Sequence, residues 1–187
     1  MKNNLTLQVL SSFNNSEGTY VVNENELIEK EIVSGVSYSK NESKITISGI
    51  PDRPGISAKI FGLMAANNIN VDMIVQNISQ DGINANMTFT VPTKESNFAK
   101  DIIQKNYNDI GYNNISLDSN VSKISVIGMG MMSQSGVAEK MFKKLAENKI
   151  NILAISTSEI KISVLINQKY TDLAIKSLHT VYKLDKK

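Results

Sequence analysis

"KITISGIPDRPGISAKIFGLMAANNINVDMI", residues 44–74, returns in altered form as "KISVIGMGMMSQSGVAEKMFKKLAENKINILAI", residues 123–155. Lys44, Ile45 and Gly49 match Lys123, Ile124 and Gly128. After a two-residue insertion in the second copy, Gly55, Lys59, Phe61, Ala65, Asn67, Ile69, Asn70 and Ile74 match Gly136, Lys140, Phe142, Ala146, Asn148, Ile150, Asn151 and Ile155. An offset of about 80 residues is too long for a solenoid repeat and suits a duplicated small domain.

Each copy reads alike. Ile45 and Ile47 alternate with polar neighbours, as on a half-buried strand. Ile56, Ile60, Leu63, Met64 and Asn67 follow at helical spacing. "NVDMIVQNIS" and the strictly alternating "INANMTFTV" read as strands, joined by "QDG", where Asp81-Gly82 supplies positive φ cheaply. "ESNFAKDIIQKNY" is a second amphipathic helix and "NNISLDS" a short fourth strand. The order is βαββαβ, a ferredoxin-like α+β unit. The second copy predicts a strand at 123–128, a helix at 137–148, strands at 151–157 and 160–166, and a helix at 171–182. Its fourth strand is missing. The unassigned apolar run "EIVSGVSYS", residues 31–39, is expected to complete that sheet, because an absent strand leaves an open edge. The first unit, residues 40–118, is then inserted into the second, residues 31–39 plus 119–187.

Composition narrows the function. Hydrophobic residues make up 41% of the 187, enough for a packed core. There are no cysteines, which excludes disulfides, thiolate catalysis and cysteine metal sites. The net charge is +2 with signs interspersed, so no basic stripe points to nucleic acid or to a membrane surface. The start, "MKNNLTLQVL", does not read as a signal peptide, and no apolar run is long enough to span a bilayer. The expectation is a soluble cytoplasmic protein.

"GIPDRPGI" holds two of the three prolines. Pro54 is pre-set for a helix start, and Gly55 clears space where the first helical N–H groups point outward. Such a terminus attracts a carboxylate, and Asp52 can hold an ammonium; an α-amino acid offers both. The same residues also suit a bare turn with Asp52 as helix cap. Gln76, in "VQN", can donate to and accept from a polar ligand, or simply be solvated. "STSE", residues 156–159, reads as a second ligand edge or as a polar hairpin turn. "GMGMMSQSG" is neither a dinucleotide fingerprint nor a P-loop. His179 is the sole histidine, without a partner for a triad or metal site.

The motifs "PDRPG", "VDMIVQN" and "ISTSEIKISV", in that order, resemble the tandem ACT domains of the aspartokinase family, over nearly the whole chain. "VLSSF", residues 9–13, resembles the segment joining the kinase domain to the regulatory region, so residues 1–30 are expected to be the end of that linker. The kinase domain's nucleotide motif is not present, so the resemblance implies the regulatory part of an ATP-dependent aspartate kinase: a natural regulatory β subunit or a piece of a longer chain. It implies an inserted first domain, feedback inhibition by an end-product amino acid, a homodimer with sheets paired side by side, and a catalytic aspartokinase subunit as partner. No cofactor, metal, nucleic acid or membrane is implied. The alternative is an assembly subunit that binds no effector. Carried over by motif, Asp52, Gly55, Ile56, Ser57 and Gln76 line one effector site, closed by Asn151 and Ile152 of the facing chain. A pseudo-symmetric site uses Met132, Ser135, Gly136, Val137 and Ala138 with Thr157, Ser158 and Glu159. Lysine-sensitive relatives often carry an acid where this chain has Leu153, which favours threonine over lysine, although Glu159 is a substitute acid.

Overall fold

The computed structural model describes residues 7–21, 32–79, 82–129 and 135–186. A small hairpin, β1 (Leu7–Val9) with β2 (Thr19–Val21), precedes the main body. Then follow β3 (Gly35–Pro51), α1 (Ile56–Ala66), β4 (Asp72–Ile78), β5 (Asn84–Val91), α2 (Ser96–Lys105) and a one-turn α3 (Tyr107–Ile110). The second half holds β6 (Asn114–Ile127), α4 (Val137–Glu147), β7 (Ile152–Thr157), β8 (Lys161–Asn167) and α5 (Thr171–Val181).

The expected borrowed strand is present. Gly35 to Ser39 pair antiparallel with Ile127 to Lys123. Glu31 lies outside the described residues, as do Gln80 and Asp81 of the expected hairpin turn, whose Gly82 has φ 67°. What the sequence pattern does not reveal is that this segment and "KITIS" are one strand, β3, 17 residues long. "NNISLDS" and "KISVI" are likewise fused into β6. The polar stretches at the two joins are "KNES" and "DSN". In the structure they lie within the strands: β3 changes register between Ser39 and Lys44 and continues. Buried Ser43 supports this passage by donating to Ser119 Oγ at 2.9 Å and lying 3.3 Å from Thr93 Oγ1.

The result is one antiparallel six-stranded sheet in the order β4-β5-β3-β6-β8-β7. Each half takes four strands and shares the central pair. Each half also has its own core. Ile45, Ile47, Met87 and Phe89 pack against Ile60 and Met64 of α1 and Ile103 of α2, with Phe61 edge-on to Phe89 at 5.4 Å. Ile124, Val126, Val164 and Ile166 pack against Met141 and Leu145 of α4 and Leu178 of α5. Fully burying such a side chain contributes about 1.5–3 kcal/mol, so each cluster stabilises its own half. A third, smaller cluster joins Met73 of β4 to Val121, Leu165, Leu153 and Ala154. It brings the two edge strands, β4 and β7, close together within the chain. Among the described residues no helix is long and apolar enough to cross a membrane.

Candidate effector sites

The turn after β3 leads directly into α1. The helix cap is Gly55, with φ 96°, and no side chain caps the terminus. Asp52 is therefore not the helix cap. Its N–H donates to Ile83 O at 2.9 Å, which pins the turn, while its exposed carboxylate has no partner among the described residues. A Cβ at Gly55 would meet nothing within 4 Å, so the backbone angle rather than space requires glycine. The first helical bond runs from Lys59 N–H to Gly55 O at 3.0 Å, leaving the N–H groups of the first turn without intrahelical acceptors. Ile56 is buried at 5% exposure and anchors the helix start.

Ser57 and Gln76 are brought together. The Ser57 hydroxyl donates to Gln76 Oε1 at 3.1 Å, tying α1 to the edge strand β4. With Oε1 accepting, the free end of the amide is its donor, Nε2. The Ser57–Gln76 bond stands at the start of α1, and Asp52 lies three residues before the Gly55 cap. Asn151 and Ile152 stand at the head of β7, the other edge of the sheet. Asn151 is exposed and Ile152 half-buried.

The second site repeats the frame. Gly136 caps α4 with φ 95° and again no side-chain cap; Lys140 N–H reaches Gly136 O at 3.1 Å. Ser135 is exposed, Ala138 half-buried and Val137 buried. Thr157, Ser158 and Glu159 are exposed at the end of β7, where Ser158 N–H donates to Lys161 O at 2.8 Å. Met132 lies outside the described residues. One contact has no forewarning in the motifs: the Tyr182 hydroxyl donates to Val137 O at 2.7 Å and braces the start of α4. Burial pushes that phenol up to about 12. The only sequence signal was an aromatic at the end of the last helix.

Beyond their contact at Met73, the two edge strands carry exposed isoleucines. β4 exposes Ile74 and Ile78, and Ile83 follows just before β5; β7 exposes Ile155, with Ile160 just beyond it. Among the described residues no group of three or more histidine or acidic side chains is arranged to hold a metal ion. His179 Nδ1 faces Asp185 at 3.8 Å on the surface.

A family model for the ACT domain matches residues 42–107 and 124–182. Over 185 residues, 98% of its length, the chain is 45% identical to an aspartate kinase of Pseudomonas fluorescens (strain SBW25), and spans 45% of that relative. It thus covers about half the length of the curated relatives it matches. The structure resembles a chain of the aspartokinase alpha and beta subunits (TM-score 0.76, 43% identity, 81% of this chain and 99% of that one). It also resembles the ligand-free regulatory subunit of aspartate kinase from Thermus thermophilus (TM-score 0.76, 34% identity, 81% and 99% covered).

Proposed function

The chain belongs to the ACT-domain family and corresponds to the regulatory region of aspartate kinases, and from that premise we propose that it senses an end-product amino acid. Threonine is the favoured effector and lysine the alternative. In the complete enzyme, binding would inhibit aspartate phosphorylation, the entry to lysine, threonine and methionine synthesis. The inhibition requires the effector to bind one global state better than another.

The observation that carries this reading is the Ser57–Gln76 bond beside an uncapped helix terminus and an Asp52 carboxylate without a partner among the described residues. These offer donors for a carboxylate and an acceptor for an ammonium. Asp52, Gly55, Ile56, Ser57 and Gln76 form one face of the site. Asn151 and Ile152, on the opposite edge, form the other face when supplied by a second copy. The edge strands β4 and β7, with exposed isoleucines, support such side-by-side pairing, since an unpaired apolar edge invites another strand. Residues 40–118 act as the first ACT unit, inserted into a second made of residues 31–39 and 119–187. Residues 1–30 act as the end of the link to a kinase domain, on the same chain or on a catalytic subunit. The second site, with Ser135, Gly136, Val137, Ala138, Thr157, Ser158 and Glu159, offers hydroxyls and one acid.

Calorimetric titration with threonine and lysine, singly and together, with serine as control, tests the reading. Threonine binding lost in Asp52→Ala supports it. A folded dimer that binds none of these alone, and still none with an aspartokinase catalytic subunit present, favours an assembly subunit without effector. A monomer that is saturated with threonine in sedimentation would rule out the two-chain site.

A further inference from the structure

Gln76 of the first site and Thr157 of the second stand on β4 and β7. Each lies three residues beyond the residue, Met73 or Ala154, that joins the two strands. Three strand residues span roughly 10 Å. The joint is unusual on the β4 side. Met73 has φ 47°, is 3% exposed, and sits where β4 slips register between Asp72 and Val75. A non-glycine residue holds a left-handed conformation only where its surroundings over-determine it.

Those surroundings are visible. Asp72 Oδ1 accepts from the Met73 N–H at 2.8 Å, and Oδ2 accepts from Lys123 Nζ at 2.5 Å. Lys123, on the shared strand β6, also meets Glu42 Oε1 at 3.1 Å, and Glu42 sits in the register shift of β3. One carboxylate thus shapes the bulge, aims Met73 at Leu153 and Ala154, and fastens β4 to the two central strands. The device is one-sided. The repeat aligns Asp72 with Leu153 and Lys123 with Lys44, and Lys44 has no ion-pair partner among the described residues.

We propose that the Asp72–Met73 joint is the contact through which the two effector strands sense each other, so that a ligand displacing β4 also displaces β7. The inference rests on the functional reading above for its meaning, but its physical content is the coupling of two strands. A strand held at a buried, bulged residue cannot slide without moving what packs on that residue.

Hydrogen exchange on the whole chain, without ligand, tests the coupling. Asp72→Asn, which keeps shape, and Lys123→Met should each speed exchange in residues 152–157 by about threefold or more, although neither mutation lies on β7. Exchange in α5 should stay at the wild-type rate. Asp172→Asn, which breaks the exposed Lys40–Asp172 pair at 3.2 Å, should leave β7 unchanged. Faster exchange confined to β4 overturns the proposal. A second readout separates coupling from general loosening. In a wild type that binds both amino acids, saturating lysine should change threonine affinity; in one that binds threonine alone, the exchange result decides the joint. In Asp72→Asn that change should vanish while each separate affinity stays within about threefold. Loss of both affinities without loss of coupling would contradict a coupling role. Failure of the wild type to bind either amino acid would contradict the functional reading, with the exchange result still deciding the joint.

Discussion

The two halves of this molecule share a backbone and differ in the side chains placed on it. Their helix starts are alike: Gly55 and Gly136 have φ of 96° and 95°. Their helix ends are alike too. Asn67 Nδ2 donates to Leu63 O and Asn148 Nδ2 to Lys144 O, both at 2.8 Å. Asn68 and Lys149 then take φ of 55° and 56°, and Ile69 and Ile150 donate back to Met64 O and Leu145 O at 2.9 Å. These positions close each helix and turn the chain into the edge strand. The differences begin on that strand, where Asp72 faces Leu153 in the alignment and Gln76 faces Thr157. Duplication kept what the backbone requires and released what a ligand or a neighbouring strand reads.

The largest effect should come from Asp52→Ala. Loss of a charge-assisted bond to an ammonium is worth about 1.5–3 kcal/mol, or roughly 10–100-fold in threonine affinity. The aligned region of the second copy carries the two-residue insertion and offers no acid at this place. Threonine binding that survives Asp52→Ala would therefore move the first site elsewhere.

Gly55→Ala and Gly136→Ala should destabilise by similar amounts, about 1–2 kcal/mol each, since both force a side chain into the left-handed region. Urea denaturation checks this. Unequal losses would break the equivalence of the helix starts.

Tyr182→Phe should cost about 1 kcal/mol by removing the bond to Val137 O. Among the described residues, no tyrosine hydroxyl braces the start of α1 in this way. In wild type the Tyr182 phenolate should appear only near pH 12 on ultraviolet titration. A tyrosine set titrating entirely near 10 would contradict the burial of that ring.

The smallest effect is the pH dependence of the one-sided ion pair. The hydrogen bond from Lys123 holds the Asp72 carboxyl below its ordinary value, against an opposing push from burial. Burial likewise pulls Lys123 down, but its bonds to Asp72 and Glu42 outweigh that and hold it above the usual lysine range. A carboxyl depressed in the folded state contributes stability above its unfolded value, near 3.9, and loses it as pH falls through the folded value. The stability difference between wild type and Asp72→Leu should therefore be flat from neutral pH to about 5 and shrink below about 4. Asp72 is half exposed, so the effect is modest.

Periodicity and turn chemistry reveal the strands, helices and duplication because those depend on local patterns. Ile45, Ile47, Phe89 and Val91 alternate as their burial demands. The fusion of β3 and of β6 is hidden, since Lys40, Asn41 and Glu42 read as solvent-facing polar residues. Only a partner from a distant strand, Lys123, makes Glu42 a buried one. The same holds at the candidate sites. Gly55 and Asp52 announce themselves through turn chemistry, whereas the Ser57–Gln76 bond joins residues 19 apart through the packing of α1 on β4. The Asp72–Lys123 pair spans 51 residues and two halves, and no local signal marks it.

The central claim is a sensor whose first site needs both edges of the sheet, one from each of two chains. Threonine calorimetry on an equimolar, co-refolded mixture of Asp52→Ala and Ile152→Asp chains tests it most directly. At threonine concentrations that just saturate the wild type, each variant alone should be nearly silent. In the mixture, a mixed dimer holds one site with both lesions and one intact site, so binding should return at about one threonine per four chains. A mixture as silent as its parents, with mixed dimers formed and the wild type binding, would contradict the two-chain site; a wild-type dimer that ignores threonine would contradict threonine sensing itself.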